Sequence, residues 1–336
     1  MAIQDTDKFL VHRNGSSYYI SALDFKNSAN STPQPINEVR ALVVAGGGSG
    51  GSGTDWRSWC AGGGGAGGMI ELTGITFEPN TSYAITVGDG GVMTVINGSG
   101  GNGGDYGVDG GNSSIVGGTL NHVAIGGGGG GANSGNDGYV KNGRTGGSAG
   151  GNGGDSGGVV TQGTAGQGNA GGLSNRGGGG GGGSGGAGGN SGSSKAGNGG
   201  IGKTSDISGT LQHYAGGGGG ACTSWYTSIN TGGDGGIGGG GAGGFGNNNE
   251  NSGLGGDAVA NTGSGGGATS KDSVKGGNGG SGIVIIRYPG AQKATGGTVT
   301  TVGDDTVHTF TSSGTFEVSS RREMIATRNN KRNNNG

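Results

Sequence analysis

The side chains with most capacity for contact stand in two short segments. Trp56, Arg57 and Trp59 lie in TDWRSWC, and Trp225 with Tyr226 lies in CTSWYTS, both polar interruptions between glycine runs. A flat apolar ring beside polar groups such as Asp55, Arg57, Thr223 and Ser224 suits a sugar or a second protein. Trp56, Arg57, Trp59, Trp225 and Tyr226 are therefore the candidate receptor or partner contacts. A packing role competes with this one. Aromatics make up 5% of the chain, so large side chains are needed to fill any core that glycine leaves empty. The cysteine beside each tryptophan segment fits that use too.

The remaining candidates do not assemble into a reaction. His12, His122, His213 and His308 stand singly in strand-like contexts, with no second ligand at metal-site spacing. Cys60 and Cys222 are too far apart for a close-spaced metal pair. Their similar surroundings, WRSWCAGGGG and GGGGGACTSWY, leave either a disulfide between related loops or two reduced thiols. GIGKTSD at 200–206 holds Gly-Lys-Thr without the leading glycine spacing of a phosphate loop. GNGGDYGVDGG lacks the large apolar residue that calcium-binding β-roll repeats place at a fixed position. GVDGGNSS lacks the strand-turn-helix setting of a nucleophile elbow. No catalytic, cofactor or metal residue is expected, and the chain reads as a non-enzyme.

What must position the aromatic segments is unusual, because 100 of the 336 residues are glycine and 27% are hydrophobic. Glycine loses more backbone freedom on ordering than alanine does, roughly 0.5–1 kcal/mol in a helix or strand interior. Order must come from dense hydrogen bonding between chain segments. Collagen is excluded, since glycine is not at every third position and only four prolines are present. A purely flexible linker fits poorly with the apolar runs RALVVAG, SYAITVG, HVAIGG and SGIVIIRYPG. Two ordered arrangements remain open. One is a lattice of extended three-residue-per-turn glycine helices, bonded laterally through their amides. The other is a glycine-interrupted β-sandwich. The fold class is mostly β: short strands and polyglycine-II-type helices in the body, with β-hairpin elements at either end.

Residues 1–32 are expected to form an N-terminal anchoring module, with Asn14-Gly15 between apolar runs as a hairpin signal. Residues 33–38 are a linker, and 39–289 are the glycine-rich body. The body opens on VRALVVAG and closes on SGIVIIRYPG, two buried strands expected to pair or lie side by side. MIELTGITFEPNTSYAITVGDGG reads as a hairpin, with Glu71 to Thr76 and Tyr83 to Val87 on either side of EPNTS. Residues 290–318 return to alternation and form a β-hairpin cap; 319–336 are a basic, asparagine-rich tail. Short apolar elements followed by glycine runs recur without a fixed period, so no solenoid is expected.

Net charge is −2, from 19 Lys+Arg and 21 Asp+Glu, which leaves no basic footprint for nucleic acid. No apolar run approaches the ~20 residues of a membrane helix, and MAIQDTDKFLVHR is not a basic leader. Neither nucleic-acid binding nor membrane insertion is expected.

LVVAGGGSGG, GGGGAGGM, YAITVGDGG, GNSSIVGG, GIVIIRYPG and VHTFTSSGTFEV, in this order, give the chain a resemblance to glycine-rich virion proteins of tailed bacteriophages. The likeness is to tail-fibre and receptor-binding proteins, especially of phages that infect cyanobacteria. DTDKFLVHRNGSSYYISALDF is similar to N-terminal segments of structural proteins in such phages. The resemblance spans residues 5–318. VHTFTSSGTF often precedes a glycine-rich unit in these proteins, whereas here it ends the body, and the tail after Val318 matches no motif. The resemblance implies a structural virion protein, made in the host cytoplasm and located in the phage tail. It would be a homotrimer joined to other tail or baseplate proteins and would meet a host-surface glycan or protein through its loops. Two alternatives are a decoration protein that binds only other virion proteins and a bacterial cell-surface matrix protein.

Overall fold

The computed structural model describes residues 8–13, 16–21, 34–53, 60–93, 104–132, 141–154, 156–192, 194–223, 231–246, 253–270 and 274–318. The chain begins with a hairpin of β1 (Lys8–Arg13) and β2 (Ser16–Ser21), in which Arg13 pairs with Ser16 across the Asn14-Gly15 step. Then come β3 (Ile36–Val44), β4 (Met69–Phe77), β5 (Ser82–Thr86), β6 (Ser113–Gly117) and β7 (Leu120–Ala124). Short pairings follow: β8 (Ser156–Gly157), β9 (Ser174–Asn175), β10 (Lys203–Ser205), β11 (Gln212–Tyr214), β12 (Cys222–Thr223) and β13 (Phe245–Gly246). The last strands are β14 (Ile283–Pro289), β15 (Ala294–Thr295), β16 (Thr298–Val302), β17 (Asp305–Phe310) and β18 (Gly314–Val318). The described residues contain strands and no helix that could cross a membrane.

Two five-stranded antiparallel sheets, ordered β16-β17-β14-β3-β4 and β15-β18-β5-β6-β7, pack face to face. The bracketing strands β3 and β14 do pair, from Ile283↔Val44 to Arg287↔Arg40. Their alternate residues face two cores, which is why both read as continuous apolar runs. Val39, Ala41, Val43, Val284, Ile286 and Tyr288 face the second sheet. Leu42, Val44, Ile283 and Ile285 face the β10–β11 hairpin, where Ile207 and Tyr214 cover them. Arg40 bonds both Glu71 and Asp206, and Arg287 donates to the Ile207 carbonyl while bonding Asp305 at 2.7 Å within the sheet, so both arginines fasten that hairpin's rim.

The expected hairpin around EPNTS is not one. Both strands form, but β4 belongs to the first sheet and β5 to the second. The chain crosses the core at this turn, where Asn80 takes a φ of 53°. Phe77 and Tyr83 then meet edge to face at 4.6 Å between the sheets. Burying two aromatics on each other outweighs the local ladder that a hairpin would form. The strands of 290–318 likewise divide: β16 and β17 extend the first sheet, and β15 and β18 extend the second.

Above the strands, the glycine runs belong to neither strand nor helix, and their amides bond in threes. Ala45, Gly48 and Gly51 donate to Gly68, Gly65 and Gly62; Gly46, Ser49 and Ser52 donate to Gly111, Val108 and Asp105. Gly47 and Gly50 donate to Gly280 and Gly277. Residues 45–52 thus meet three neighbours in rotation, the same one at every third residue, and Gly53 then donates to Thr269. A chain that turns once in three residues presents its amides in that order. The strands feed directly into these runs, and the network of lateral amide bonds between the runs is the glycine lattice that adjoins the sandwich.

The close approach demands glycine. A Cβ on Gly64 would lie 2.2 Å from the Gly48 carbonyl oxygen, and one on Gly181 would lie 1.9 Å from that of Gly64. Where a run has no neighbour, a side chain replaces it. Asp109 and Asn112, three residues apart, accept the N–H groups of Gly129 and Gly126, also three apart. Asn190, Asn198 and Asp257 do the same for Leu173, Asp234 and Asn278.

Candidate functional site

The registers place the glycine runs and their turns relative to the sandwich. Ala45 pairs with Gly68 beside the strands and Gly51 with Gly62 further out, so Gly53 and Cys60 lie at the end remote from the sandwich. Ser52 bonds Asp105 and Gly62 bonds Gly131, which brings Gly104 and Ala132 to that end as well. Ala221 donates to Ala61, Cys222 to Gly244, and Ser270 to Gly253. The described residues flanking 54–59, 94–103, 133–140, 224–230, 247–252 and 271–273 therefore share one end of the lattice.

Both chain ends of the body lie at the opposite end. Ile36 pairs with Phe77 at the start of β3, and Asn80 donates to the carbonyl of Val318, the last residue of β18, at 3.1 Å. The first and last described residues around the two sheets, near Ile36 and at Val318, therefore stand at the base.

Trp56, Arg57, Trp59, Trp225 and Tyr226 lie outside the described residues. Their flanks are described and are close together. Ala221 N–H donates to the Ala61 carbonyl at 2.9 Å, and Gly218 donates to Gly64 at 2.8 Å. The two runs are direct antiparallel neighbours, and Cys60 and Cys222 stand at the same level on them. The similarity of WRSWCAGGGG and GGGGGACTSWY thus has a spatial counterpart: the two segments adjoin neighbouring runs.

No disulfide joins the cysteines, and both are buried. Their thiols donate in different directions, Cys60 Sγ to Arg176 O and Cys222 Sγ to Thr231 O, each at 3.1 Å. Burial pushes the Cys222 thiol up to about 12, so it stays protonated and unreactive at neutral pH. Cys222 packs with Ala196 and Phe245, while Ala61, Ala221 and Ala268 make a second small cluster. These small apolar clusters lie toward the far end, on runs still bonded laterally there.

Polar groups near the far end are fixed by the lattice. Asp105 N–H donates to Ser52 Oγ and Val108 N–H to Ser49 Oγ. Lys141 Nζ donates to Gly104 O at 3.0 Å and lies 5.4 Å from the centre of the Tyr106 ring. Among the described residues no group of three or more His, Cys, Asp or Glu could hold a metal ion. His122 and His213 are in β7 and β11, and His308 is buried in β17.

What the sequence reading missed is the outward row of Asn and Asp that caps run amides. The spacing of three between Asp109 and Asn112 was the available signal.

The architecture is that of a glycine-rich domain. Residues 25–289 match the family model described as a glycine-rich domain, and the chain belongs to that family. No curated protein matches the sequence.

Proposed function

We propose that this chain is a non-enzymatic structural protein of a phage virion, a tail-fibre or baseplate-attached adhesin that displays loops for host-surface attachment. The observation that carries the reading is polarity. The body's chain ends stand at the sandwich base, whereas the flanks of its polar and aromatic insertions gather at the opposite end of the lattice. An attached protein that meets a surface needs that separation between anchor and contact. The glycine lattice supplies stiffness between them, since each run bonds several neighbours. Several copies on one particle would turn weak contacts into strong avidity.

Immunogold labelling of virions with an antibody against 39–289 tests the location. Label at fibre tips or the baseplate rim is expected. Label over the capsid would make the chain a decoration protein, and an unlabelled particle would overturn the virion reading. Replacing Trp56, Trp59 and Trp225 by alanine tests the contact. Host binding is expected to fall at least about tenfold, equivalent to ~1.4 kcal/mol, with the melting profile kept. Unfolding of the variant would assign the tryptophans to packing instead.

A further inference from the structure

The two sheets have four edges, and three are closed or blunted. Gln167 covers one side of the sandwich: its Nε2 donates to Val123 O in β7, its Oε1 accepts Ile125 N–H just after β7, and its carbonyl accepts Met69 N–H at the start of β4. Strand β4 is further interrupted by register shifts against β3 and by Gly74 at a φ of 69°. Strand β15 is two residues long. The fourth edge is β16, Thr298–Val302, with sequence TVTTV.

Strand β16 carries none of the usual protections. It pairs with β17 without a shift from Thr298↔Thr309 to Val302↔Asp305, and it contains no charge, proline or bulge. Thr298 to Thr301 are exposed on both faces of the strand, and Val299 is 37% exposed. An uncharged, β-branched, uninterrupted edge is a template for another strand, and soluble proteins ordinarily blunt such edges. Apolar surface continues beside it. A Cβ on Gly209 would meet Val302, and Leu211, in the same turn of the β10–β11 hairpin, is 73% exposed.

We propose that β16 is a self-association edge, on which the β16 of a second copy of this chain pairs antiparallel about a twofold axis through Thr300. In that register Thr298 faces Val302 of the second copy and Val299 faces Thr301. Each pair joins β-branched side chains, a favourable cross-strand combination. Charge selects the direction. Antiparallel pairing puts Asp304, in the turn after β16, beside Gly296 of the second copy. Parallel in-register pairing would set Asp304 against Asp304. The interface is isologous, so it closes at two copies and does not propagate. This departs from the homotrimer that the tail-fibre resemblance implies.

The test is sedimentation equilibrium of the full chain across the micromolar range, with the variants Thr300→Lys and Thr300→Glu. Residue 300 is exposed, so neither change disturbs the core; thermal melts check this. The unaltered chain is expected to be dimeric. Each variant alone places like charges on the axis and is expected to associate at least about tenfold more weakly. An equimolar mixture of the two is expected to recover the dimer, which a general loss of folding would not allow. A monomeric or trimeric unaltered chain overturns the proposal, as does a mixture that associates no better than either variant.

Discussion

His308 is buried with both ring nitrogens engaged. Nδ1 is 2.7 Å from the Gly296 carbonyl oxygen, which can only accept, so Nδ1 carries the proton. Nε2, 2.9 Å from the Tyr288 hydroxyl, is then the acceptor for that O–H. Lys293 N–H donates to the same Tyr288 oxygen at 3.0 Å, and the Phe316 ring stands edge-on to the imidazole at 5.0 Å. A second ring proton would meet a hydroxyl already committed as donor, in a site without a carboxylate contact. Burial accordingly holds the His308 pKa below the ordinary 6.5, against the smaller raising effect of Gly296. With the folded value depressed, the unfolded chain takes up the proton first as pH falls. The stability contribution is full above about 6.5 and is lost on acidification through the folded value. Urea unfolding between about pH 7.5 and about pH 4.5, roughly one unit above and two units below the ordinary imidazole pKa, is expected to show that loss. His308→Gln is expected to be less stable at neutral pH but to lose this acid-dependent component. An unchanged slope in the variant would assign the acid sensitivity elsewhere.

At the scale of elements, two kinds of glycine act for different reasons. Gly64 is in the lattice interior: it donates to Gly266, accepts from Gly218, and has carbonyl oxygens where a methyl group would go. Gly74, in β4, has open space around its would-be Cβ but a φ of 69°. Gly64→Ala is expected to cost ~1–3 kcal/mol or more, because rigid backbone must move. Gly74→Ala is expected to cost the ~1–2 kcal/mol of a left-handed residue. A neutral Gly64→Ala in urea melts would contradict close lateral packing of the runs. The same contrast explains what could be read beforehand. Strands β3 and β14 were legible because LVV and IVII must be buried on both faces. The path between β4 and β5 was not, since EPNTS serves equally well as a hairpin turn or a crossing between sheets. Only the meeting of Phe77 with Tyr83 across the core decides it. Which glycine run neighbours which was also hidden, because glycine carries no side chain to encode a partner. The information is left to sparse residues such as Asp109, Asn112 and Gln167. For the candidate contacts, the repeated Trp-and-Cys setting was legible; that their flanking runs adjoin was not.

For the molecule as a whole, the balance of forces differs from that of an ordinary domain of this length. The apolar clusters are concentrated in the sandwich and under the β10–β11 hairpin, whereas among the described residues of the lattice the clusters are small, of alanine, cysteine and phenylalanine, with Met93 buried apart from them. Most of what the lattice buries is peptide. Exposing apolar surface raises heat capacity by about 0.45 cal/K/mol/Å², and exposing polar surface lowers it by about 0.26. Unfolding this chain should therefore give a heat-capacity increment well below the usual ~12–15 cal/mol/K per residue. The strands and runs are also continuous in chain and in bonding: β3 becomes run 45–53, and run 274–282 becomes β14. A sandwich that lost its lattice would expose the upper ends of both sheets, so the two are expected to unfold in one transition. Scanning calorimetry reads both quantities. A single endotherm with a small increment implies a shallow stability curve, one that changes little with temperature on either side of its maximum. Two endotherms, the larger increment belonging to one and almost none to the other, would mean that the lattice stands independently of the sandwich. A single endotherm with an ordinary increment would mean that far more apolar surface is buried than these clusters contain.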